Sequence, residues 1–407
     1  MNSGDVAFML LSTALVLLMT PGLAFFYGGM VRRKNVLSIL MQCFIAISVL
    51  TVQWMLCGYS LSFAPSHGFW GGTAWFCLNH VGLEPFPEYA ATIPYEAFMI
   101  FQAMFAIITP ALIIGAFAER MRFSAFLVFT VLWATFVYAP VCHWVWGSGG
   151  WLKQLGVLDF AGGLVVHTTA GIAALVTTLI IGKRDRLNHT PAPHNLPFVV
   201  LGTALLWFGW FGFNAGSALA ANGTAVNAFV VTNAAAASAG LSWAILEWIR
   251  NGKPTVFGIM TGSIAGLATI TPASGFVGPF AGLLIGVFAS ILCFISISVI
   301  KPSFGYDDSL DAFGVHGVGG ILGTILTGIF ASKAINAAGA NGWMYGNFKQ
   351  LLIQLAGVGA VAFYTFVATF VIYKFVDIFL KSRVSQKEEL MGLDLTQHRE
   401  SAYTIIE

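Results

Sequence analysis

Long apolar runs, each about as long as a bilayer is thick, alternate along this chain with short polar connections. A helix needs roughly 20 apolar residues to cross a hydrocarbon core. Windows of that size predict spans over 6–30, 37–63, 95–118, 124–145, 160–182, 197–219, 227–248, 256–272, 278–300, 312–331 and 351–379. The 256–272 window is the weakest, being short and rich in Gly, Ser and Thr. Strand-like alternation of apolar and polar positions is missing, so a barrel is excluded. The predicted fold is all-α and integral to a membrane, with about 11 transmembrane helices.

Basic residues fix the direction in which the chain is threaded, because Lys and Arg collect in cytoplasmic loops. One set of connections carries Arg32, Arg33, Lys34, Arg120, Arg122, Lys183, Arg184, Arg186, Arg250, Lys253 and Lys301, and the tail adds Lys381, Arg383 and Lys387. The opposite set carries Lys153, Lys333 and Lys349. The N-terminus is therefore expected outside and the C-terminus inside, with a transmembrane domain at 1–380 and a cytoplasmic tail at 381–407. Two echoes suggest an internal repeat. Leu158-Asp159-Phe160-Ala161-Gly162-Gly163-Leu164-Val165-Val166-His167 in span 5 resembles Leu310-Asp311-Ala312-Phe313-Gly314-Val315-His316 in span 10. Leu23 to Gly29 in span 1 echoes Trp210 to Gly216 in span 6. Five-helix halves offset by an odd number of spans run in opposite senses, which is the inverted-repeat plan of many transporters. The expected architecture is two inverted five-helix repeats plus a C-terminal helix.

Composition agrees with lipid as the solvent. Charged residues make up 9% of the chain against about 25% in ordinary soluble domains. The net charge of +2 gives no reason to expect a nucleic-acid partner. Cys43, Cys57, Cys77, Cys142 and Cys293 lack the spacing of a disulfide framework or metal site, and no cofactor is implied. Residues Met1 to Asp5 lack the basic start of a signal peptide, which leaves open whether the first helix inserts unaided or a leader is missing.

Ionisable side chains inside a membrane are costly and point to function. His167 and His316 occupy matching places in the two halves, each flanked by glycines that let helices approach closely. Two neighbouring neutral imidazoles can share one proton between a donor and an acceptor nitrogen. Asp159 and Asp311 open their helices and read first as N-caps; for Asp159 a cap and an electrostatic role coexist, because a carboxylate near the outer mouth also favours a cation. Glu247 reads as a snorkelling or paired interfacial group and His143 as structural; His67, His80, His189 and His194 carry no assigned chemistry. Phe101 and Phe105, Trp144 and Trp146, and Phe213 with Ser217 gather towards the outer ends of spans 3, 4 and 6. Aromatic faces with a hydroxyl acceptor suit a small cation that can itself donate hydrogen bonds.

Taken together, Thr20-Pro21-Gly22-Leu23-Ala24-Phe25-Phe26-Tyr27-Gly28-Gly29, Asp159-Phe160-Ala161-Gly162-Gly163, Gly212-Phe213-Asn214-Ala215-Gly216-Ser217 and Val315-His316-Gly317 resemble the ammonium transporter/Rh family along essentially the whole chain. Trp146 and Ser217 favour its Amt branch, and the segment Gly147 to Trp151 departs slightly from that pattern. The resemblance implies uptake of ammonium, with methylammonium as an analogue, through a multi-pass protein of the cytoplasmic (inner) membrane. It implies a homotrimer with one pore in each subunit. Phe105, Trp146 and Ser217 would recruit the cation, and Phe105 and Phe213 would gate the pore. His167, His316 and Trp210 would line it, and Asp159 would support the outer site and its deprotonation. The tail around Gly392-Leu393-Asp394 resembles one that docks a PII-type signalling protein; its alternative is a solvated end. An ammonium sensor and an Rh-like gas channel are the rival readings. An intramembrane enzyme built on Asp159 and His167 lacks a nucleophile or metal motif and is not expected.

Overall fold

A computed structural model of the chain describes residues 1–66, 68–185 and 192–403. His67, Arg186 and His189 lie outside the described residues. Eleven helices among the described residues match the predicted spans: Ser3–Met30, Arg33–Phe63, Tyr95–Phe117, 123–146, Gly163–Ile181, Leu196–Gly216, Gly223–Asn251, Val256–Ile270, Pro279–Phe304, Phe313–Phe330 and Phe348–Leu380. They are called spans 1 to 11 below. Ten are long and apolar enough to cross a membrane. Span 8, Val256–Ile270, has 15 residues and reaches only about 22 Å at 1.5 Å per residue. Buried turns over 271–277 complete its path, so the irregular composition of this window marks a helix enclosed by protein.

The bundle is layered from its centre outward. Span 3 is buried along almost its whole length, whereas span 11 exposes Phe363, Ile378 and Phe379 on the rim. Spans 1 and 6, the pair that echo one another in sequence, pack side by side. A Cβ on Gly202 would fall 2.2 Å from the Phe26 nitrogen, so this crossing is closed by the absence of a side chain. Glu247, expected as a snorkelling or paired interfacial group, is the paired one: it is buried and accepts from the Thr255 N–H at 2.7 Å, joining spans 7 and 8. His143, expected as structural, is buried with its ring nitrogens 3.2 Å from the Ser62 oxygen and 3.1 Å from the Ser66 oxygen.

At the Lys/Arg-rich end, a buried carboxylate gathers the loops. Glu119 accepts from Arg32 Nε at 2.9 Å, Asn35 Nδ2 at 2.7 Å and Arg184 at 2.7 Å. Arg184 also bridges to Asp307 at 2.8 Å. Burial alone would raise the Glu119 carboxyl, but Arg184 and Arg32 hold it below its ordinary value. Burial likewise opposes ionisation of Asp307, and Arg184 and Arg120 overcome it to hold that carboxyl at about 2.

The tail over 381–403 is packed against these loops, so the solvated alternative does not describe it. Of its short helices, Gln386–Met391 and Leu393–His398, the second packs against the start of span 2, and Lys34 of that span donates to the Leu390 oxygen of the first. Asp394 Oδ1 accepts from the Ser38 N–H at 2.8 Å and caps the α-helix of span 2 that starts at Val36, where the N-cap residue Asn35 makes no such bond. The Asn35 side chain instead accepts from the Leu393 N–H at 2.8 Å.

Candidate functional site

The site begins at the Lys/Arg-poor end of the bundle, expected to face outward, where span 3 starts and spans 4 and 6 stop. Span 6 stops at Gly216, earlier than the 219 expected, which puts Ser217 at its C-cap. The Ser217 hydroxyl donates to the Phe213 oxygen at 2.8 Å, which leaves its lone pairs free to accept. Phe105, Trp146, Asp159 and Ser217 line one cavity of about 250 Å³. The Trp146 ring meets Phe105 edge-on at 5.9 Å, and its indole N–H donates to the Asp159 carbonyl at 2.8 Å. The structure thus brings together the four residues singled out at this mouth.

Two aromatic rings lie between this cavity and the next. Phe105 and Phe213 lie 4.3 Å apart between centroids, tilted by 39°, and each is 1% exposed. Phe101 is fully buried behind them, edge-on to Phe105 at 5.0 Å. Past the rings lies a chamber of about 10 Å³ lined by Phe213, Trp210, His167, His316, Phe26 and other apolar side chains. That volume accommodates about one water-sized molecule. Trp210 stacks on His167 at 5.4 Å and 18°, and its N–H is already bound to Thr271 Oγ1 at 2.9 Å.

His167 and His316 face each other with Nδ1 atoms 3.3 Å apart and rings within 12° of parallel. Two neutral rings in that contact carry one proton between their Nδ1 atoms. Their Nε2 atoms are then of opposite kind, one donor and one acceptor. His167 Nε2 is buried and meets no protein hydrogen-bond partner among the described residues. A small molecule that both donates and accepts would satisfy it.

Local sequence explains why these rings meet. Each histidine lies in a π-helical turn, Gly163–Thr168 in span 5 and Phe313–Gly317 in span 10. Wide turns of this kind also occur at Trp54–Gly58, Ala134–Tyr138 and Ser296–Ile300, so the turn alone does not mark the histidines. Spans 5 and 10 touch through glycine, since a Cβ on Gly171 would fall 2.1 Å from the Gly317 Cα.

Asp159 caps span 5 completely. Its oxygens accept from the N–H groups of Gly162, Gly163, Leu164 and Val165 at 2.6 to 3.2 Å. The expected cap of span 10, Asp311, does not perform that task. Asp308 does, accepting from Ala312 at 3.1 Å and Phe313 at 2.8 Å. Asp311 has a left-handed φ of +58° and pairs with Lys301 at 2.6 Å. Matching Leu158-Asp159 to Leu310-Asp311 chose the wrong acid. Equal spacing to the histidines would have found it, since Asp159 precedes His167 by as many positions as Asp308 precedes His316. Among the described residues, no three His, Cys, Asp or Glu side chains are gathered as a metal site.

A family model described as Ammonium Transporter Family matches residues 7–403. The ammonium transporter of Bacillus subtilis (strain 168) is 53% identical over 403 residues, covering 99% of both chains. Ammonium transporter Amt1 of Archaeoglobus fulgidus is 47% identical, covering 99% of this chain and 100% of that one. The crystal structure of Saccharomyces cerevisiae Mep2 is 38% identical with a TM-score of 0.89, covering 95% of this chain and 89% of that one. A solved structure named Sensor Amt Protein has a TM-score of 0.89 at 30% identity, covering 97% and 98% respectively. With a family match over nearly its full length and relatives at about half identity along it, this chain belongs to the Ammonium Transporter Family.

Proposed function

We propose that this chain carries ammonium, and methylammonium as its analogue, across the cell membrane by admitting a cation at the outer mouth and passing neutral ammonia onward. The observation that carries this reading is the histidine pair in a chamber about one molecule wide, sealed from the outer cavity by Phe105 and Phe213. A bare monovalent ion moved into such a medium costs of order 20 kcal/mol in the idealised Born limit, and several after relaxation. Ammonia avoids most of that cost. Potassium has no proton to lose and is turned away.

In this reading the faces of Phe105 and Trp146 attract the cation, and the Ser217 oxygen accepts one of its N–H groups. Asp159 holds Trp146 by its carbonyl, adds a negative field and assists deprotonation. The histidines then offer a donor and an acceptor in the chamber, with Trp210 as its wall. The family likeness supports a homotrimer with one pore in each subunit, and a PII-type protein docking at the packed cytoplasmic tail. Likeness to the Sensor Amt Protein structure supports a second reading, in which the same site reports ammonium to a partner.

The test is radiolabelled methylammonium uptake into proteoliposomes. Trp146→Leu and Ser217→Ala should raise KM by about tenfold, the loss of roughly 1.4 kcal/mol of binding, with the maximal rate little changed. His167→Ala should instead collapse the rate. Unaltered KM in both outer-site variants would refute the recruitment site. A sensor would show binding without turnover in the parent chain.

A further inference from the structure

The outer cavity holds a charge that recruiting a cation does not call for. Lys153, in the short helix Trp151–Leu155, lines it together with Phe105, Trp146, Asp159 and Ser217. Its ammonium group donates to the Trp146 carbonyl oxygen at 3.1 Å and stands 5.7 Å from the centre of the Tyr89 ring. Glu88 is on the same wall, accepting from the Ser148 hydroxyl. By sequence, Lys153 is merely one of the few basic residues of the outer connections. The fold carries it to the approach of the aromatic site.

We propose that Lys153 and Glu88 form an opposed pair that sets the affinity of the outer site for cations, Lys153 lowering it and Glu88 raising it. The proposal rests on Phe105, Trp146 and Ser217 being the recruitment site. Lys153 carries an ammonium group tethered to the backbone of a residue that would bind one, so a cation admitted to the cavity is repelled by it. As a scale, a unit charge roughly 8 Å from a binding site, in a medium between protein and water, changes its occupancy about three- to sixfold. Glu88 acts with the opposite sign. Both side chains are open to solvent, so salt weakens both effects: the Debye length falls from about 30 Å at 0.01 M to about 3 Å at 1 M.

A purely structural Lys153 makes a different forecast. As a strut under the Trp146 carbonyl, its loss would loosen the indole and raise KM at every ionic strength. The full-length chain in proteoliposomes, assayed for methylammonium uptake in low and high N-methylglucamine chloride, separates the two. At low salt, Lys153→Gln should lower KM about threefold, Glu88→Gln should raise it about threefold, and the double variant should return near the parent. The differences should vanish at about 1 M salt with maximal rates unchanged. A Lys153→Gln variant whose KM rises, or does not move, at low salt overturns the proposal. Trp146→Leu run alongside keeps the two claims apart. If it raises KM while the charge series is flat, only the Lys153 and Glu88 pair is refuted; if its KM is unaltered, the recruitment site falls and the proposal with it.

Discussion

Replacing Gly171 by alanine adds one methyl group and touches none of the side chains on the proposed route. It still reaches the centre of the account. The new Cβ would stand 2.1 Å from the Cα and nitrogen of Gly317, whereas ordinary contact begins at 3.4 Å. The obstacle is backbone on a facing helix and has no rotamer to change. Spans 5 and 10 are forced about 1.3 Å apart, at an overpacking cost of typically 1–3 kcal/mol. His316 is the residue next to Gly317, so its ring moves with that backbone. A displacement of this size along the ring–ring direction carries the 3.3 Å Nδ1 contact well beyond 3.5 Å, where a hydrogen bond is lost. The matched donor and acceptor at Nε2 are lost with it. Methylammonium uptake by Gly171→Ala proteoliposomes should fall at least about tenfold in maximal rate, equivalent to roughly 1.4 kcal/mol in the barrier. KM should stay near the parent value because the outer cavity is untouched. Size-exclusion profile and thermal midpoint establish that the variant is folded. A folded Gly171→Ala protein with parental uptake would refute the claim that histidine contact governs passage.

Three further outcomes follow from the Lys/Arg-rich end, where the tail packs. Glu119→Gln strips the charge that Arg32 and Arg184 share in a buried place; removing one partner of such a pair costs about 3–5 kcal/mol, and the thermal midpoint should drop clearly while Arg33→Gln has little effect. Asp394→Ala removes the cap that the tail places on span 2, worth about 1 kcal/mol; protease cleavage between Lys381 and Arg399 should quicken by about fivefold, the same energy expressed as an opening equilibrium. Asp307 ionises at about 2 against an ordinary 3.8, so its contribution to stability is complete above about pH 4 and is lost as pH falls towards 2. Asp307→Asn should therefore flatten the decline in thermal midpoint between those limits, and an unchanged decline would contradict the sign of that shift.

Much of the helical frame was legible because lipid demands long apolar runs, and those runs are hard to mistake. Span 6 overran its true end because Ser217, Ala218 and Leu219 are apolar enough to extend a window, while the backbone already turns and Leu219 takes a φ of +58°. The histidine pair was legible for a different reason. Packing alone does not call for two ionisable residues at matching places in two halves, each amid glycines. Asp308 was hidden by its neighbour Asp311, since both stand just before span 10 and residue type alone does not say which carboxylate faces the free N–H groups. Glu119 and Asp394 were illegible on principle. Their partners are set by loops from distant parts of the chain meeting at one face, as with Asp394 and Ser38, 356 positions apart. Lys153 read as a lone outer charge because sequence does not show that its short helix turns back to the Trp146 carbonyl.

The measurement that tests the central claim most directly compares ammonium with potassium on the purified chain in sealed vesicles, with an internal pH dye and membrane current recorded together. Passage as ammonia after deprotonation at the outer mouth predicts that ammonium pulses give a dye response, with or without current, that His167→Ala abolishes. Potassium pulses of equal size should give neither signal. Equal currents for potassium and ammonium would mean that a bare ion crosses the chamber, and would contradict the account.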